Sequence, residues 1–143
     1  MVGRLVATLF VAGVALGACG SEDGDSAPGG ARGAYSAQAD PICAEISAAV
    51  GQLGDDAVKD RDAVQAGVDK LNALSLPGED IEKAEVFLRR LDNVALALED
   101  VNQSRIQNDT PRAERALTTA REQAEQSAEA ASSYGMVECG EPI

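Results

Sequence analysis

The chain has 143 residues, of which 26 are alanine and none is tryptophan or histidine. Two tyrosines and two phenylalanines are its only aromatic residues, which excludes the bulky core of a β-barrel or β-sandwich and leaves helices packed through small side chains. The net charge of −12 opposes binding to nucleic acid and other phosphate polyanions. Without histidine, the chain lacks the commonest general base and the commonest metal ligand.

Residues 1–18 have the pattern of an export signal. Arg4 supplies one positive charge before an apolar run over residues 5–16, which is too short to span a hydrocarbon core about 30 Å thick. Two small residues then stand directly before Cys19. This pattern resembles a bacterial lipobox. The resemblance implies that the chain is cut before Cys19, that the Cys19 thiol carries a diacylglycerol, and that the new amino terminus is also acylated.

Lipidation of Cys19 predicts a protein held on the outer face of the bacterial cytoplasmic membrane. The alternative is an ordinary secretory signal followed by a stray cysteine, which would leave a soluble protein. Residues 19–39 are predicted to form the lipidated cysteine and a flexible linker rich in glycine, serine and aspartate. The acidic cluster at residues 22–25 lacks the spacing of a calcium loop, so we interpret it as part of a solvated spacer.

Residues 40–143 are predicted to form an all-α domain, an up-down-up-down four-helix bundle. Asp40-Pro41 is typical of a helix start, because aspartate accepts bonds from unpaired amides and proline at the first position loses no useful donor. Apolar residues then recur at steps of three and four in four stretches, namely Ile42 to Leu53, Val64 to Leu74, Ile81 to Val101 and Ala113 to Ala131. The pattern predicts two short helices of about 13 and 15 residues, then a long hairpin of helices of about 28 and 24 residues.

Cys43 and Cys139 favour four helices over three. An exported chain meets an oxidising compartment, so the two thiols left after lipidation are expected to pair. In an up-down-up-down bundle the start of helix 1 and the end of helix 4 share one pole, where the sulfurs can meet. One continuous helix over residues 41–74 would instead separate them. We therefore predict a Cys43–Cys139 disulfide, with two free thiols or a two-cysteine metal site as weaker alternatives.

The alanine-rich composition, the helix opening at residues 40–43 and the closing segment at residues 134–140 resemble small exported helical lipoproteins of the actinobacterial type. The resemblance covers nearly the whole chain. It implies a fold and a location, and no activity.

No recognisable motif supports catalysis. In the absence of histidine, a nucleophile would depend on a carboxylate or on one of three lysines (Lys59, Lys70 and Lys83). The carboxylates Asp92, Glu99 and Asp100 fall outside the apolar stripe of helix 3, so we interpret them as a hydrated face rather than a glycan-cleaving pair. We predict a protein that is not an enzyme and that has no cofactor and no metal site.

Arg105, Arg112 and Arg115 gather positive charge near the turn between helices 3 and 4, which should overhang the shorter helices by about 14–20 Å. They are the candidate binding site for an anionic envelope partner; the alternative is a solvated turn in which arginines pair with Asp109 and Glu114. The leading functional hypothesis is a non-enzymatic, lipid-anchored interaction or scaffold protein. The alternatives are a carrier of a small apolar ligand in the bundle core and self-association through the hairpin.

Overall fold

The computed structural model describes residues 30–76, Gly78 and residues 80–143. The predicted signal, Cys19 and the first part of the predicted linker lie outside the described residues. The described part of the chain consists of four α-helices and no strand, which confirms the predicted helical bundle. The helices are α1 (Ala31–Val50), α2 (Ala57–Asn72), α3 (Ile81–Ile106) and α4 (Thr110–Tyr134), and a 3₁₀ turn follows at Glu138–Gly140.

Helix α1 begins at Ala31, so the predicted start at Asp40-Pro41 is wrong. Pro41 lies inside the helix, which has 20 residues instead of about 13. Tyr35 and Ala39 are fully buried, so residues 31–39 belong to the packed domain and not to the linker. An internal proline removes one helical hydrogen bond, but burial of an aromatic ring and the small side chains around it outweighs that loss.

Helices α1 and α2 pack closely because Gly67 has no side chain. A Cβ atom built at Gly67 would lie 2.2 Å from Cδ1 of Ile46, which is itself buried. Helix α2 begins after Asp56, whose carboxylate accepts the backbone N–H of Lys59 at 3.1 Å. This aspartate satisfies one of the unpaired amides that every helix start exposes.

The long hairpin of α3 and α4 forms the centre of the fold. Its helices have 26 and 25 residues, close to the predicted lengths. The buried faces follow the predicted stripes, with bulky side chains on α3 (Phe87, Leu91, Val94, Leu98 and Val101) and alanines on α4 (Ala113, Ala116, Ala120, Ala124, Ala128 and Ala131). Asp109 caps α4 by accepting the N–H of Arg112 at 3.1 Å. Gly135 ends α4 in the left-handed conformation that glycine adopts without strain.

The chain after α4 doubles back and lies between α1 and α4. We call residues 136–143 the C-terminal strap. Close backbone approach occurs between α1 and α2, between α2 and α3, and between α3 and α4, whereas the 3₁₀ turn of the strap approaches both α1 and α4. Met136 and Cys139 of the strap are buried. The strap therefore closes the side of the bundle between the first and last helices, a role that the sequence pattern did not predict.

Candidate functional site

The Cys43–Cys139 disulfide is present, as predicted. Its two Cα atoms lie 5.0 Å apart and the cysteines are separated by 96 positions in the sequence. Cys43 lies well inside α1 and not in its first turn, because α1 starts earlier than predicted. The sulfurs still meet, since the strap carries Cys139 back from the end of α4 toward the middle of α1. Both cysteines are buried.

Asp40 holds the strap from the α1 side. Its carboxylate accepts the backbone N–H groups of Val137, Glu138 and Cys139 at distances of 3.0–3.2 Å. These are amides at the start of the 3₁₀ turn, which lack partners within the turn itself. Asp40 was predicted to cap α1, but it caps the 3₁₀ turn of the strap instead. The prediction of a capping aspartate is therefore confirmed, and the helix assigned to it is wrong.

A narrow cleft of ≈ 20 Å³ lies beneath the strap. Phe87 and Leu91 of α3 form its floor, Ile46 of α1 and Ala124 of α4 its walls, and Ile143 is part of its roof. This volume has room for about one water molecule, whereas pockets for drug-sized ligands occupy roughly 300–1,000 Å³. With the strap bound to α1 and α4, this cleft is too small for an apolar ligand of that size and does not support the ligand-carrier alternative.

Arg32 joins three parts of the fold at the pole where α1 starts. Its guanidinium donates to the backbone carbonyls of Ser133 (2.9 Å) and Tyr134, which are unpaired acceptors at the end of α4. It also lies 4.9 Å from the centre of the Tyr134 ring and pairs with Asp80, which precedes α3, at 3.3 Å. Sequence reasoning missed Arg32, because it was placed in the predicted linker. We call this end of the molecule the anchor pole.

Tyr35 and Tyr134 form the aromatic contact of the anchor pole. Their rings meet edge to face with centroids 5.8 Å apart. Both rings are fully buried, and neither hydroxyl group has a hydrogen-bond partner among the described residues. Burial, together with the nearby Tyr134 hydroxyl, raises the pKa of Tyr35 to about 12. Both side chains are therefore neutral at physiological pH and pack as apolar groups.

The three predicted tip arginines have different surroundings. Arg105 donates to the backbone carbonyl of Gly54 at 2.8 Å, and Arg112 forms an ion pair with Asp100 at 2.6 Å. Arg115 is exposed, and no ion pair joins it to another described residue. The alternative of a solvated turn with arginines paired to Asp109 and Glu114 is not observed, since no ion pair of the described residues involves either acid. The guanidinium groups of Arg105 and Arg112 are thus engaged in contacts within the domain, and Arg115 remains the candidate binding group.

The hairpin tip, residues 106–110, extends beyond α1 and α2 by less than predicted. The connection between α1 and α2 packs on Leu117 of α4. The contact is so close that a Cβ atom added at Gly54 would lie 2.2 Å from Cδ1 of Leu117. Leu117 is seven residues past the first residue of α4, which leaves an overhang of about 10 Å. An open groove of ≈ 340 Å³ runs beside the tip and is lined by Arg105, Asn108, Thr110, Ala113, Glu114 and Leu117. Ile106 at the tip is 66% exposed.

Asp60 is a buried acid that sequence reasoning missed. It belongs to the polar run before the apolar stretch of α2, and only 1% of its surface is exposed. Its carboxylate accepts the N–H of Gly54 at 2.7 Å and so fixes the connection between α1 and α2. Burial raises the pKa of Asp60, and the bond from Gly54 offsets this in part. Nothing in the run of alternating charges distinguishes this residue from its exposed neighbours.

The carboxylates weighed for glycan cleavage do not form a paired site. Glu99 forms an ion pair with Arg61, Asp100 forms one with Arg112, and all three side chains of the set are only partly buried. Across the described ranges, no three acidic or cysteine side chains are grouped so as to hold a metal ion. Within the same ranges, no helix has both the length and the hydropathy to cross a bilayer.

Comparison of the chain with protein-family models, with curated proteins and with solved structures gave no significant match.

Proposed function

We propose that this protein is a non-enzymatic, lipid-anchored protein of the bacterial cell envelope that presents its helical hairpin to another envelope protein. The observation that carries the proposal is the sequence before Cys19, in which a charged start, an apolar run and two small residues precede the cysteine. That order is the one that lipid attachment and cleavage require in the lipobox pattern it resembles.

The start of α1 supports a short tether. Residues 20–30 separate Cys19 from the first residue of α1, and a linker of that length with the predicted coil character would have a root-mean-square reach of about 18 Å. The tether would enter the domain at the anchor pole, beside Arg32. The folded domain would thus stay close to the bilayer while Cys19 carries its lipid.

The hairpin tip lies at the opposite end of α4 from the anchor pole. Helix α4 has 25 residues and is therefore about 37 Å long. An anchored molecule would present the tip as its most distant end. Ile106 at the tip and Arg115 in the second turn of α4 are both exposed, and a mixture of apolar and arginine side chains is typical of protein–protein interfaces.

Replacement of Cys19 tests the anchor. The variant Cys19→Ser should lose incorporation of labelled palmitate and should be recovered in the medium instead of the membrane fraction. The double variant Cys43→Ser/Cys139→Ser is the matched control, since it removes two cysteines but leaves the lipidation site, and it should stay in the membrane fraction. Unchanged membrane retention and palmitate labelling of Cys19→Ser would reject the anchor.

Site-specific crosslinking tests the tip. A photoreactive residue at position 106 should capture a partner in intact cells, and one at position 96 serves as control, since Leu96 is 62% exposed but lies in the middle of α3. In the proposed arrangement Arg115→Glu abolishes capture from position 106. Equal capture from both positions, or capture that Arg115→Glu leaves unchanged, would reject the tip as the contact surface.

A further inference from the structure

We propose that the C-terminal strap is a redox-controlled latch: reduction of the Cys43–Cys139 bond releases residues 136–143 while α1 to α4 stay assembled. Release would uncover the apolar groove between α1 and α4. This inference does not depend on the lipid anchor, because it concerns only contacts within the described domain.

The strap is separable because the helices pack on one another without it. The close contacts of α1 with α2, α2 with α3, and α3 with α4 connect all four helices in series. The clamp by Arg32 also holds α1 to the end of α4, through the carbonyls of Ser133 and Tyr134, at positions before the strap begins. Removing the strap therefore breaks no helix–helix contact of this series.

The strap covers apolar side chains of the hydrophobic core. Ile46, Phe87, Leu91 and Ala124 line the cleft beneath it, and each is less than 5% exposed. The groove that they form has walls from α1 and α4 and a floor from α3. If the strap leaves, these side chains face solvent, and the ≈ 20 Å³ cleft becomes an open apolar channel.

Few non-covalent contacts hold the strap in comparison with the helices. Asp40 accepts three of its backbone amides, the N–H of Met136 donates to the carbonyl of Ala131 at 3.0 Å, and Ser132 donates to the carbonyl of Gly140 at 3.4 Å. Met136 is buried and Ile143 is partly buried against the core. Gly135 lies immediately before the strap, is exposed, and has φ 99°, so the strap pivots at a residue with a wide conformational range. The disulfide bond at Cys139 fixes the strap to α1 four residues after Gly135. When this bond is reduced, the only covalent attachment of the strap is the peptide bond to Gly135.

The chemical step is a thiol–disulfide exchange with a dithiol reductant. A thiolate of the dithiol attacks one sulfur of the bridge, and the other sulfur leaves as a thiolate. The second thiol then resolves the mixed disulfide. Two electrons pass to the bridge, so Cys43 and Cys139 end as thiols and the reductant ends as a disulfide. Because both cysteines are buried, attack requires the strap to lift, and the rate of reduction measures how often it does so.

The first test compares the oxidised and the reduced domain. After reduction with dithiothreitol, we expect the helical circular dichroism to persist, the amides of residues 137–139 to lose protection from hydrogen exchange, and the fluorescence of the apolar dye anilinonaphthalene sulfonate to rise. Cys43→Ser/Cys139→Ser should reproduce this state without reductant. Loss of helix and strap together in one transition would overturn the latch, as would strap amides that remain protected after reduction.

The second test uses oxidised, folded protein and so does not depend on the stability of the reduced form. Asp40→Ala removes the acceptor of three strap amides and should increase the rate of reduction by dithiothreitol. Asp40→Asn keeps an acceptor oxygen at the same place and should be reduced at a rate closer to that of the parent protein. Equal rates for the parent and Asp40→Ala would overturn the proposal, because they would mean that strap opening does not control access to the bridge.

Discussion

The carboxylate of Asp40 accepts the backbone N–H of Cys139 at 3.2 Å, although the two residues are 99 positions apart. Asp40 is followed by Pro41, a pair that is typical of helix starts, yet it lies in the interior of α1. Its carboxylate satisfies unpaired amides as an N-cap does, but those amides belong to the strap. One acidic side chain thus ties the first helix to the last turn of the described chain.

Asp40→Ala should lower the free energy of unfolding by about 1–3 kcal/mol, because three amides of the strap lose their acceptor. Asp40→Asn retains an oxygen acceptor and should cost less. Urea denaturation of the oxidised proteins at neutral pH measures both changes. The role of Asp40 would be contradicted by an alanine variant as stable as the parent.

Loss of the Cys43–Cys139 bridge should lower the stability of the domain substantially. For a loop closed over 96 positions, the chain-entropy relation gives about 4–5 kcal/mol. Thermal denaturation with and without dithiothreitol measures the effect, with Cys43→Ser/Cys139→Ser as a variant that should not respond to the reductant. No change in Tm on reduction of the parent protein would contradict this prediction.

The sequence pattern predicted α3 and α4 well because their burial repeats along the chain itself. Bulky residues at steps of three and four on α3, and alanines at the same steps on α4, define one buried face on each helix. The same periodicity also extends through the first part of α1. Tyr35, Ala39, Cys43 and Ile46 continue one stripe across Pro41 and are all buried. In α1, burial along this stripe outweighs the tendency of Asp40-Pro41 to start a helix.

Other features could not be predicted, since they depend on how loops and helices come together in the folded chain. Arg32 acquires its role from the carbonyls at the end of α4, and Asp60 from the amide of Gly54. The strap is an irregular segment with no periodic pattern, and only its cysteine indicated a contact. The hairpin tip was located correctly, but the ion pair of Arg112 with Asp100 and the bond of Arg105 to Gly54 depend on the register between elements.

Gly67→Ala should destabilise the domain by about 1–3 kcal/mol. Alanine favours a helix over glycine by roughly 1 kcal/mol, but its Cβ atom would lie 2.2 Å and 2.4 Å from the Cδ1 and Cγ1 atoms of buried Ile46. Steric overlap therefore outweighs the gain in propensity. Gly78→Ala is the control, since apart from the adjoining residues no atom of the described chain lies within 4 Å of the added Cβ.

A double-mutant cycle checks the origin of the Gly67→Ala effect. Ile46→Ala removes the atoms that a Cβ at position 67 would meet, so the cost of Gly67→Ala should shrink in the Ile46→Ala background. If the two costs simply add, the close approach of α1 and α2 at these residues does not explain the destabilisation.

Asp60→Asn should make the domain more stable at pH 7, because asparagine keeps an acceptor for the N–H of Gly54 and buries no charge. Burial raises the pKa of folded Asp60 above its unfolded value, so its favourable contribution exists below the unfolded pKa and is lost as the pH rises through the folded pKa. The advantage of the asparagine variant should therefore shrink at pH 3. Asp60→Ala, which leaves the amide unpaired, should cost about 1–3 kcal/mol. Urea denaturation at both pH values decides the matter, and an asparagine variant less stable than the parent at pH 7 would contradict it.

Tyr35→Phe should raise the stability of the domain by up to about 1 kcal/mol at neutral pH, because it removes a buried hydroxyl group that has no partner among the described residues and keeps the ring contact with Tyr134. The same hydroxyl makes the parent protein sensitive to alkali. Unfolded tyrosine loses its proton near pH 10, whereas folded Tyr35 has a pKa of about 12, so the free energy of unfolding should fall as the pH rises from 10 to 12. Phenolate absorbance at 295 nm, followed with helical circular dichroism, should show ionisation coinciding with loss of helix in the parent and a weaker dependence in Tyr35→Phe. A Tyr35 that ionises near pH 10 with the helices intact would mean that its ring is accessible to solvent in the folded protein.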